Sequence, residues 1–363
     1  MQVGCTKKLL DYIGVKKAEP IETQEDPALC WSANILTILH RRCVVVANDS
    51  SRYGFALYGI KSKDIKDIGG LILDGVRACL EVECIAPELI ERYLDDCGSG
   101  VTFTNTANRS LVARLNQLCR LFEFFATDFT TEQLLQRQVM LRLNQDLISM
   151  KDGQKRVYFS AHERLGEDIR RRYKSHPYRC QAAEFEVELE LDSPCRRRIV
   201  VPLGYTFRQF HEVLQSIFCW QRHHLHDFWI ERYPNGRLKY TLVGYPREYE
   251  EEGETTRDDA LVCLSEIFPD HDHIIYNYDF GDNWIHHIRL VGIIDAYDKN
   301  YAVCLSGEGD APPEDVGGPG EYARLLRVLS DPKDPEHDDL KAWYASMFSR
   351  PFDLEDVNRR LKR

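Results

Sequence analysis

The sequence lacks the paired cysteines of a zinc ribbon. Its 12 cysteines are scattered over 363 residues, and no two have Cys-x-x-Cys spacing. Most lie among apolar residues, as Cys43 does before three valines and Cys219 does beside Trp220. Thiols in such surroundings behave as small hydrophobic side chains. We therefore expect buried, reduced cysteines.

Long apolar runs are missing as well. No stretch reaches the roughly 18 apolar residues that span a bilayer. Residues 1–10 contain two lysines and a short apolar patch, without the apolar segment of a secretory signal. These absences predict a cytoplasmic protein that has no membrane partner.

The motifs of nucleotide binding and nucleophilic catalysis are also absent. The chain has no Walker loop, no dinucleotide-binding glycine fingerprint and no Gly-x-Ser-x-Gly. No cysteine lies in an evidently electropositive setting that would activate its thiol. The sequence therefore fixes neither a substrate nor an oligomeric state.

The chain has no excess of positive charge, because its formal net charge is −11. Such a balance argues against a protein coated for nucleic acid. Three basic runs nevertheless occur: Arg170-Arg-Arg172, Arg196-Arg-Arg198 and Arg359-Arg-Leu-Lys-Arg363. We predict that each run lies on a solvated face, with phosphate binding as the alternative.

The hydrophobic pattern predicts two domains. A length of 363 residues favours about two. Residues 63–83 have a helical apolar stripe, whereas Phe185-Glu-Val-Glu-Leu-Glu-Leu191 alternates like a half-buried strand. We predict an α+β fold in which each domain is a small, mainly antiparallel sheet packed with helices. The domains are expected at residues 1–147 and 181–363, with a charged linker at residues 148–180.

One predicted β-hairpin carries polar residues where a sheet would bury apolar ones. It is Tyr276-Asn-Tyr-Asp-Phe-Gly-Asp-Asn-Trp-Ile-His-His287. With the turn centred on Gly281-Asp282, the pairing places Asn277 opposite His286 and Asp279 opposite Trp284, and it predicts a contact between Asp279 and His286. That contact has two interpretations. It either satisfies the polar groups of the turn or belongs to a functional cleft.

Two further motifs carry candidate ligands. His224-Leu-His226 places both imidazoles on one side of a strand, with Cα atoms about 7 Å apart, which suits two ligands of one metal. Pro312-Pro-Glu-Asp-Val-Gly-Gly-Pro319 leads into a helix, and its glycines expose N–H groups near that helix's N-terminus. The alternative for the first motif is a chance pair on a surface strand, and for the second a tightly capped loop.

The candidate site residues come from these three motifs. The catalytic candidates are Asp279, His286 and Glu314. The binding candidates are His224, His226, Asp282, Trp284 and Asp315. The candidate metal ligands are His224, His226 and Asp279, and the candidate cofactor is a divalent metal.

The second half resembles a known family. His224-Leu-His-Asp-Phe228, Tyr278-Asp-Phe-Gly-Asp-Asn-Trp-Ile-His286 and Pro312-Pro-Glu-Asp-Val-Gly-Gly318 occur in order. On these motifs, residues from about 182 onwards resemble the plasmid pRiA4b ORF-3-like family, some members of which are labelled TnpR-like resolvases of insertion elements. The chain departs from the family at Arg196, where members commonly carry a tryptophan.

The first half resembles a separate bacterial domain family to which we can attach no activity. The resemblance rests on four stretches. They are Cys5-Thr-Lys-Lys-Leu-Leu10, Trp31-Ser-Ala-Asn34, Asn48-Asp-Ser-Ser-Arg-Tyr53 and Val112-Ala-Arg-Leu-Asn116.

Together the resemblances imply a two-domain bacterial protein of the mobile-element-associated kind. Its second domain is expected to be a binding or adaptor module for a protein or nucleic-acid partner. The alternative is a metal-dependent hydrolase acting on a phosphodiester. Its metal would be surrounded by His224, His226, Asp279, Asp282, His286 and Glu314. The resolvase label transfers no chemistry, because the chain shows neither a serine recombinase's nucleophile region nor a helix-turn-helix.

Overall fold

The computed structural model divides the chain into two compact units, Met1–Arg179 and Cys180–Arg363. It describes residues 1–20, 26–98, 100–152, 155–232, 234, 236, 238–244, 255–347 and 351–362. Each unit combines a β-sheet with helices, so the predicted α+β class in two bodies is confirmed. The five-stranded sheet of the first unit is mixed, whereas the sheet of the second unit is mainly antiparallel, as predicted for both.

The first unit is built on a five-stranded sheet with the order β4-β3-β2-β1-β5. The strands of the whole unit are β1 (Gln2–Cys5), β2 (Trp31–Ile38), β3 (Arg41–Asn48), β4 (Gly54–Ile60), β5 (Thr102–Asn105), β6 (Leu147–Asp152) and β7 (Lys155–Ser160). Its helices are α1 (Lys7–Ile13), α2 (Ile68–Val82), α3 (Pro87–Asp96), α4 (Arg109–Phe124), α5 (Arg137–Gln145) and α6 (Ala161–Tyr173). Strands β2, β3 and β4 pair antiparallel, whereas β1 runs parallel to both of its neighbours. Strands β6 and β7 form a separate hairpin.

The segment predicted as a charged linker belongs to the first unit. Residues 148–180 contain most of β6, all of β7 and helix α6. Ser160 caps α6 through a capping box with Glu163. The helix buries Leu165 and Ile169 in the core of the first unit. The linker prediction was wrong because two apolar side chains one helical turn apart anchor a helix that is otherwise highly charged.

The second unit is built on an eight-stranded sheet with the order β12-β11-β10-β13-β14-β8-β9-β15. Its strands are β8 (Cys180–Leu189), β9 (Arg196–Pro202), β10 (His226–Arg232), β11 (Leu238–Val243), β12 (Thr255–Asp258), β13 (His273–Tyr278), β14 (Trp284–Tyr297) and β15 (Val303–Glu308). Its helices are α7 (Phe207–Phe218), α8 (Gly318–Ser330), α9 (His337–Ser346) and α10 (Leu354–Leu361). All strand pairs are antiparallel except β11 with β12.

Helix α7 covers one face of this sheet. A capping box begins this helix, with Thr206 accepting from the Gln209 N–H. The ring centroids of Phe207 and Phe228 lie 5.0 Å apart, and those of Phe185 and Phe210 lie 5.3 Å apart. Each fully buried Phe contributes roughly 2 kcal/mol to folding through the hydrophobic effect. This core holds the strands from which the candidate site projects.

The register of the β13–β14 hairpin differs from the predicted one by a single residue. His286 pairs with Tyr276 rather than Asn277, and Trp284 pairs with Tyr278 rather than Asp279. Asp279 does not contact His286 as predicted, because it has left the strand at φ 57° and begins the loop. A shift of one residue moves every side chain of a strand to the other face. The buried face therefore presents Tyr276 and Tyr278 with Trp284 and His286.

The three basic runs are largely neutralised within the described residues. Arg171 and Arg172 pair with Asp168, Asp26 and Asp96. Other pairs join Arg196 to Glu188, Arg198 to Glu184, and both Arg359 and Arg360 to Asp356. Arg197 is buried and donates to the carbonyls of Ile217, Arg196 and Glu308. Arg363 lies outside the described residues.

The cysteines are free thiols and most are buried, as expected. Across the described part of the chain, the helices are too short or too polar to cross a bilayer.

Candidate functional site

The loop of the β13–β14 hairpin, residues 279–283, is shaped by Asp279. Its Oδ1 accepts the N–H groups of Gly281 at 3.0 Å and Asp282 at 3.3 Å. Asp279 and Asn283 both have φ 57°, a conformation that Asp and Asn tolerate better than most residues. Because Oδ1 is held by the loop, Oδ2 is left pointing towards His224, 3.5 Å from its Nε2.

The loop formed by residues 312–317 is fixed by contacts on both sides of Asp315. Before it, Glu314 accepts from the Tyr278 hydroxyl at 2.5 Å and from the Gln221 N–H at 3.0 Å. After it, the Gly317 N–H donates to Asp282 Oδ2 at 3.1 Å. These anchors bring Asp315, with φ 60°, to a position where its Oδ1 lies 3.2 Å from His224 Nε2.

His224 lies just before β10, where the segment is held against Tyr278. The His223 N–H donates to the Tyr278 hydroxyl at 3.2 Å, and the His224 and Tyr278 rings meet edge to face at 5.9 Å. His224 Nε2 is a buried atom that hydrogen-bonds to neither nearby carboxylate, despite the short distances. The carboxylate oxygens are thus beside the ring nitrogen but out of line with it.

Three predicted site residues therefore converge: His224, Asp279 and Asp315. One ligand atom from each lies within 4.8 Å of the others. Asp279 is buried, His224 is half-buried and Asp315 is exposed, so the cluster opens to solvent on one side. One imidazole nitrogen and two carboxylate oxygens form a mixed donor set that Mn²⁺ and Zn²⁺ accept.

His226 is not part of this cluster, although it was a predicted metal ligand. Its Nε2 lies 2.8 Å from Asp259 Oδ2, and its ring stacks on that of His211 at 3.7 Å. His224 lies outside strand β10 and His226 begins it. The two imidazoles therefore do not project from one side of a single strand, as was predicted from the sequence.

His286 and Trp284 lie in the core rather than in an open cleft. Both are fully buried, and the Trp220 indole lies 5.3 Å from the His286 ring and 6.1 Å from the Trp284 ring. His286 Nδ1 lies 3.1 Å from the carbonyl of Trp284 and 3.2 Å from that of Tyr276, so this nitrogen carries the hydrogen. Burial lowers the pKa of His286 to about 3, which keeps the imidazole neutral.

A buried polar network next to β10 was not found from the sequence. Asp259 is fully enclosed and joins His226 to the Arg208 guanidinium, whose Nε lies 2.7 Å from Asp259 Oδ1. Burial acts to raise the pKa of Asp259, but His226 and Arg208 outweigh it and hold that pKa below its ordinary value. One feature of the sequence could have indicated this network. His211 occupies the apolar stripe of α7, where a buried polar residue needs a partner, and Tyr276 provides its hydroxyl at 2.8 Å.

A cavity of about 490 Å³ borders the hairpin loop at Asn283. The carboxylate-bearing residues Glu190 and Asp192 line it, together with Pro319 and Gly320 from the first turn of α8. The same loop thus contributes to an acidic cluster and to a concave surface.

Two family models match the chain. The plasmid pRiA4b ORF-3-like protein matches residues 181–361, and a domain of unknown function, DUF6933, matches residues 2–163. The uncharacterized protein y4hQ of Sinorhizobium fredii (strain NBRC 101917 / NGR234) is 34% identical over 152 residues, which cover 41% of this chain and 73% of y4hQ. A crystal structure of a protein of unknown function, MM3350 from Methanosarcina mazei Go1, is 30% identical. That match covers 49% of this chain and 97% of MM3350, with a TM-score of 0.42. The two family models and the y4hQ match confirm both resemblances, and the chain belongs to the plasmid pRiA4b ORF-3-like family through its second unit, joined to a separate DUF6933 domain in its N-terminal half.

Proposed function

We propose that the second unit is a binding module that holds its partner through a divalent cation at His224, Asp279 and Asp315. One observation carries the proposal. His224 Nε2 is a buried nitrogen without a hydrogen bond, and two carboxylate oxygens lie 3.2 and 3.5 Å from it. A buried polar atom without a partner costs free energy, and two nearby carboxylates repel one another. A cation between the three groups removes both costs.

Three protein ligands leave coordination positions open on such a cation. These positions take water or an anionic group. A carboxylate of a protein or a phosphate of nucleic acid offers that group, so the partner classes expected from the sequence are retained. The cavity at Asn283 gives the partner a concave surface next to the same loop.

Hydrolysis receives less support than binding. Beyond a cation, a hydrolase needs a general base that faces the attacking water. Glu314 is engaged by Tyr278 and Gln221, and His226 is engaged by Asp259. His286 is fully enclosed in the core. The carboxylate of Asp282 holds the Gly317 N–H. As placed, none of these four supplies the base.

The cellular setting is proposed on the family's mobile-element-associated members. A TnpR-like context in the bacterial cytoplasm accords with twelve free cysteines, most of them buried. In this setting the cation site would dock the protein onto a partner of the element's machinery.

Substituting Asp279→Asn is expected to weaken cation binding strongly. The untagged full chain should bind about one equivalent of Mn²⁺ or Zn²⁺ in equilibrium dialysis, whereas Asp279→Asn should bind at least about 100-fold more weakly. The loss follows because an amide oxygen carries no charge and the site has only two carboxylates. Asp282→Asn is the matched control. It changes a carboxylate of the same loop outside the cluster, and its amide oxygen can still accept from Gly317.

Less than about a tenth of an equivalent of either metal, at concentrations that saturate ordinary protein sites, would rule out the cation. Equal weakening by Asp279→Asn and Asp282→Asn would show that the loop, rather than the cluster, is responsible. Hydrolysis of bis(p-nitrophenyl) phosphate with Mn²⁺, lost in Asp279→Asn and retained in Asp282→Asn, would replace binding by catalysis as the function.

A further inference from the structure

Three half-buried arginines from separate elements of the first unit interact electrostatically, because two of them repel the third. Arg52 lies in the turn between β3 and β4, Arg114 lies on α4 and Arg164 lies on α6. Two of them come from stretches that carry the resemblance of this half, Asn48–Tyr53 and Val112–Asn116. The proposed role of the second unit uses none of them.

The turn before Arg52 is built so that this side chain has a defined direction. Asn48 Oδ1 accepts from the N–H groups of Ser50 at 3.1 Å and Ser51 at 2.9 Å, and from the Ser51 hydroxyl at 3.0 Å. Arg52 then adopts φ 64°, which is uncommon for a residue other than glycine. Unfavourable backbone conformations persist where surrounding contacts fix them, and they are common at binding sites.

The Phe159 ring of β7 is shared by two of the arginines. The guanidinium carbons of Arg52 and Arg164 lie 5.4 and 5.5 Å from the ring centroid. Cation–π contacts at this distance hold a guanidinium in place without neutralising its charge. The positive charge of Arg114 also repels that of Arg52.

Among the described residues, none of these three arginines forms an ion pair. Arg171 and Arg172 on the same helix α6 do so with Asp26, Asp96 and Asp168. Burial, followed by repulsion from Arg114 and Arg164, lowers the pKa of Arg52.

Two carboxylates face the cluster from neighbouring elements, but neither neutralises it by direct contact. Asp49 accepts from the Ser32 hydroxyl at 2.6 Å, and burial raises its pKa to about 6 despite Ser32 and Arg114. Asp168 lies 3.1 Å from Arg171 and also attracts Arg164. The three arginines of the cluster thus outnumber these two carboxylates, one of which is shared with Arg171, on a chain whose net charge is −11.

We propose that Arg52, Arg114 and Arg164 form a binding site for a phosphate group on the first unit. A guanidinium presents a planar fork of donors that matches phosphate oxygens, and its charge persists at any physiological pH. Three forks arriving from a turn and two helices suit a tetrahedral dianion better than a planar carboxylate, which one or two forks satisfy. The bound anion relieves the mutual repulsion of the arginines. This site lies in a different unit from the cation site and does not depend on it.

Inorganic pyrophosphate tests the site directly. Calorimetric titration of the full chain at low salt, with EDTA present to keep the cation site empty, should give saturable binding at one site. Arg114→Gln and Arg164→Gln should each weaken that binding at least about tenfold, because each removes charge-assisted hydrogen bonds. Arg120→Gln on α4 and Arg170→Gln on α6 are matched controls, since both arginines are exposed on the same two helices. Both control variants should bind as the wild type does.

Absence of saturable pyrophosphate binding by the wild type would overturn the proposal. Equal affinities in Arg114→Gln, Arg164→Gln and the wild type would overturn it too, and would leave the arginines a structural role visible only in thermal unfolding without ligand. A labelled single-stranded oligonucleotide separates the sources of phosphate. Competition with pyrophosphate indicates a nucleic-acid backbone, whereas pyrophosphate binding without oligonucleotide binding indicates a small phosphorylated ligand.

Discussion

Replacing Gly318 with alanine is expected to destabilise the second unit and to weaken cation binding at the same time. Gly318 has φ 82°, and a Cβ at this position would lie 2.5 Å from the carbonyl oxygen of Asp282. A backbone oxygen cannot yield as a flexible side chain can, so the first turn of α8 has to move away from the hairpin loop. Backbone strain together with a steric conflict costs about 2–4 kcal/mol of unfolding free energy.

The lower cation affinity follows from the position at which α8 begins. The Gly317 N–H donates to Asp282 Oδ2, and Asp315 lies two residues earlier in the same loop. Displacing α8 breaks this hydrogen bond and moves the Asp315 carboxylate away from His224. Mn²⁺ affinity should therefore fall by at least about tenfold, as it does when outer contacts of a metal site are lost.

Gly320→Ala is the matched control for this substitution. Gly320 lies in the same first turn of α8, and a Cβ there would meet no atom within 4 Å. Alanine in a helix stabilises by up to about 1 kcal/mol relative to glycine, so this variant should unfold at or above the wild-type urea midpoint. If Gly318→Ala unfolded at the same midpoint as Gly320→Ala, the close packing of α8 on the hairpin loop would be wrong.

The sequence identified the hairpin correctly and assigned its faces wrongly. Alternation along β13 and β14 was evident, but the register depends on how many residues the loop uses. Asp279 and Asn283 both adopt left-handed conformations, which makes the loop five residues long and returns the chain to the sheet at Trp284. The choice between registers is made by burial, because Tyr276, Tyr278 and Trp284 fit together under α7 and Trp220.

The cluster itself was only partly predictable. His224, Asp279 and Asp315 were all singled out, from three motifs separated in sequence. What the sequence could not provide was the difference between neighbours such as Glu314 and Asp315. That difference arises from contacts far apart in the chain. Glu314 is occupied by Tyr278 and Gln221, which leaves Asp315 to face His224.

Charge runs were a poor guide to where positive charge is available. Most arginines of the basic runs are paired with carboxylates or, as with Arg197, buried against carbonyl groups. Arg52, Arg114 and Arg164, by contrast, are single residues dispersed over more than a hundred positions. Only the fold brings Arg52 and Arg164 to the same phenylalanine ring.

Acidification is expected to destabilise the second unit strongly through His286. Burial lowers the pKa of this imidazole to about 3 from the ordinary 6.5. The imidazole of His286 is therefore protonated near pH 6.5 in the unfolded chain but only near pH 3 in the folded chain. Stability is full above pH 6.5 and is lost as the pH falls, by up to about 1.4 kcal/mol per pH unit. Between pH 6.5 and pH 4 the loss from this one group is on the order of 3 kcal/mol.

His286→Phe should reverse the order of stabilities between neutral and acid pH. At pH 7.5 the variant loses the hydrogen bond from Nδ1 to a carbonyl, which costs about 1 kcal/mol, although phenylalanine fits the surrounding aromatic cluster of Phe218, Trp220 and Tyr276. Below about pH 5 the variant should become the more stable protein, because it has no buried imidazole to protonate. Urea unfolding followed by tryptophan fluorescence at half-unit pH steps measures the crossing.

The comparison isolates His286 because other acid-sensitive groups are common to both proteins. His211, whose pKa burial lowers well below its ordinary value, contributes the same sign of pH dependence to wild type and variant alike. His287→Gln on the opposite face of β14 is the matched control, and it should keep most of the wild type's pH dependence because the enclosed imidazole remains. Parallel stability curves for wild type and His286→Phe from pH 7.5 to pH 4 would mean that His286 is reached by water. A crossing of the curves would place it in the core, where the register of the hairpin puts it.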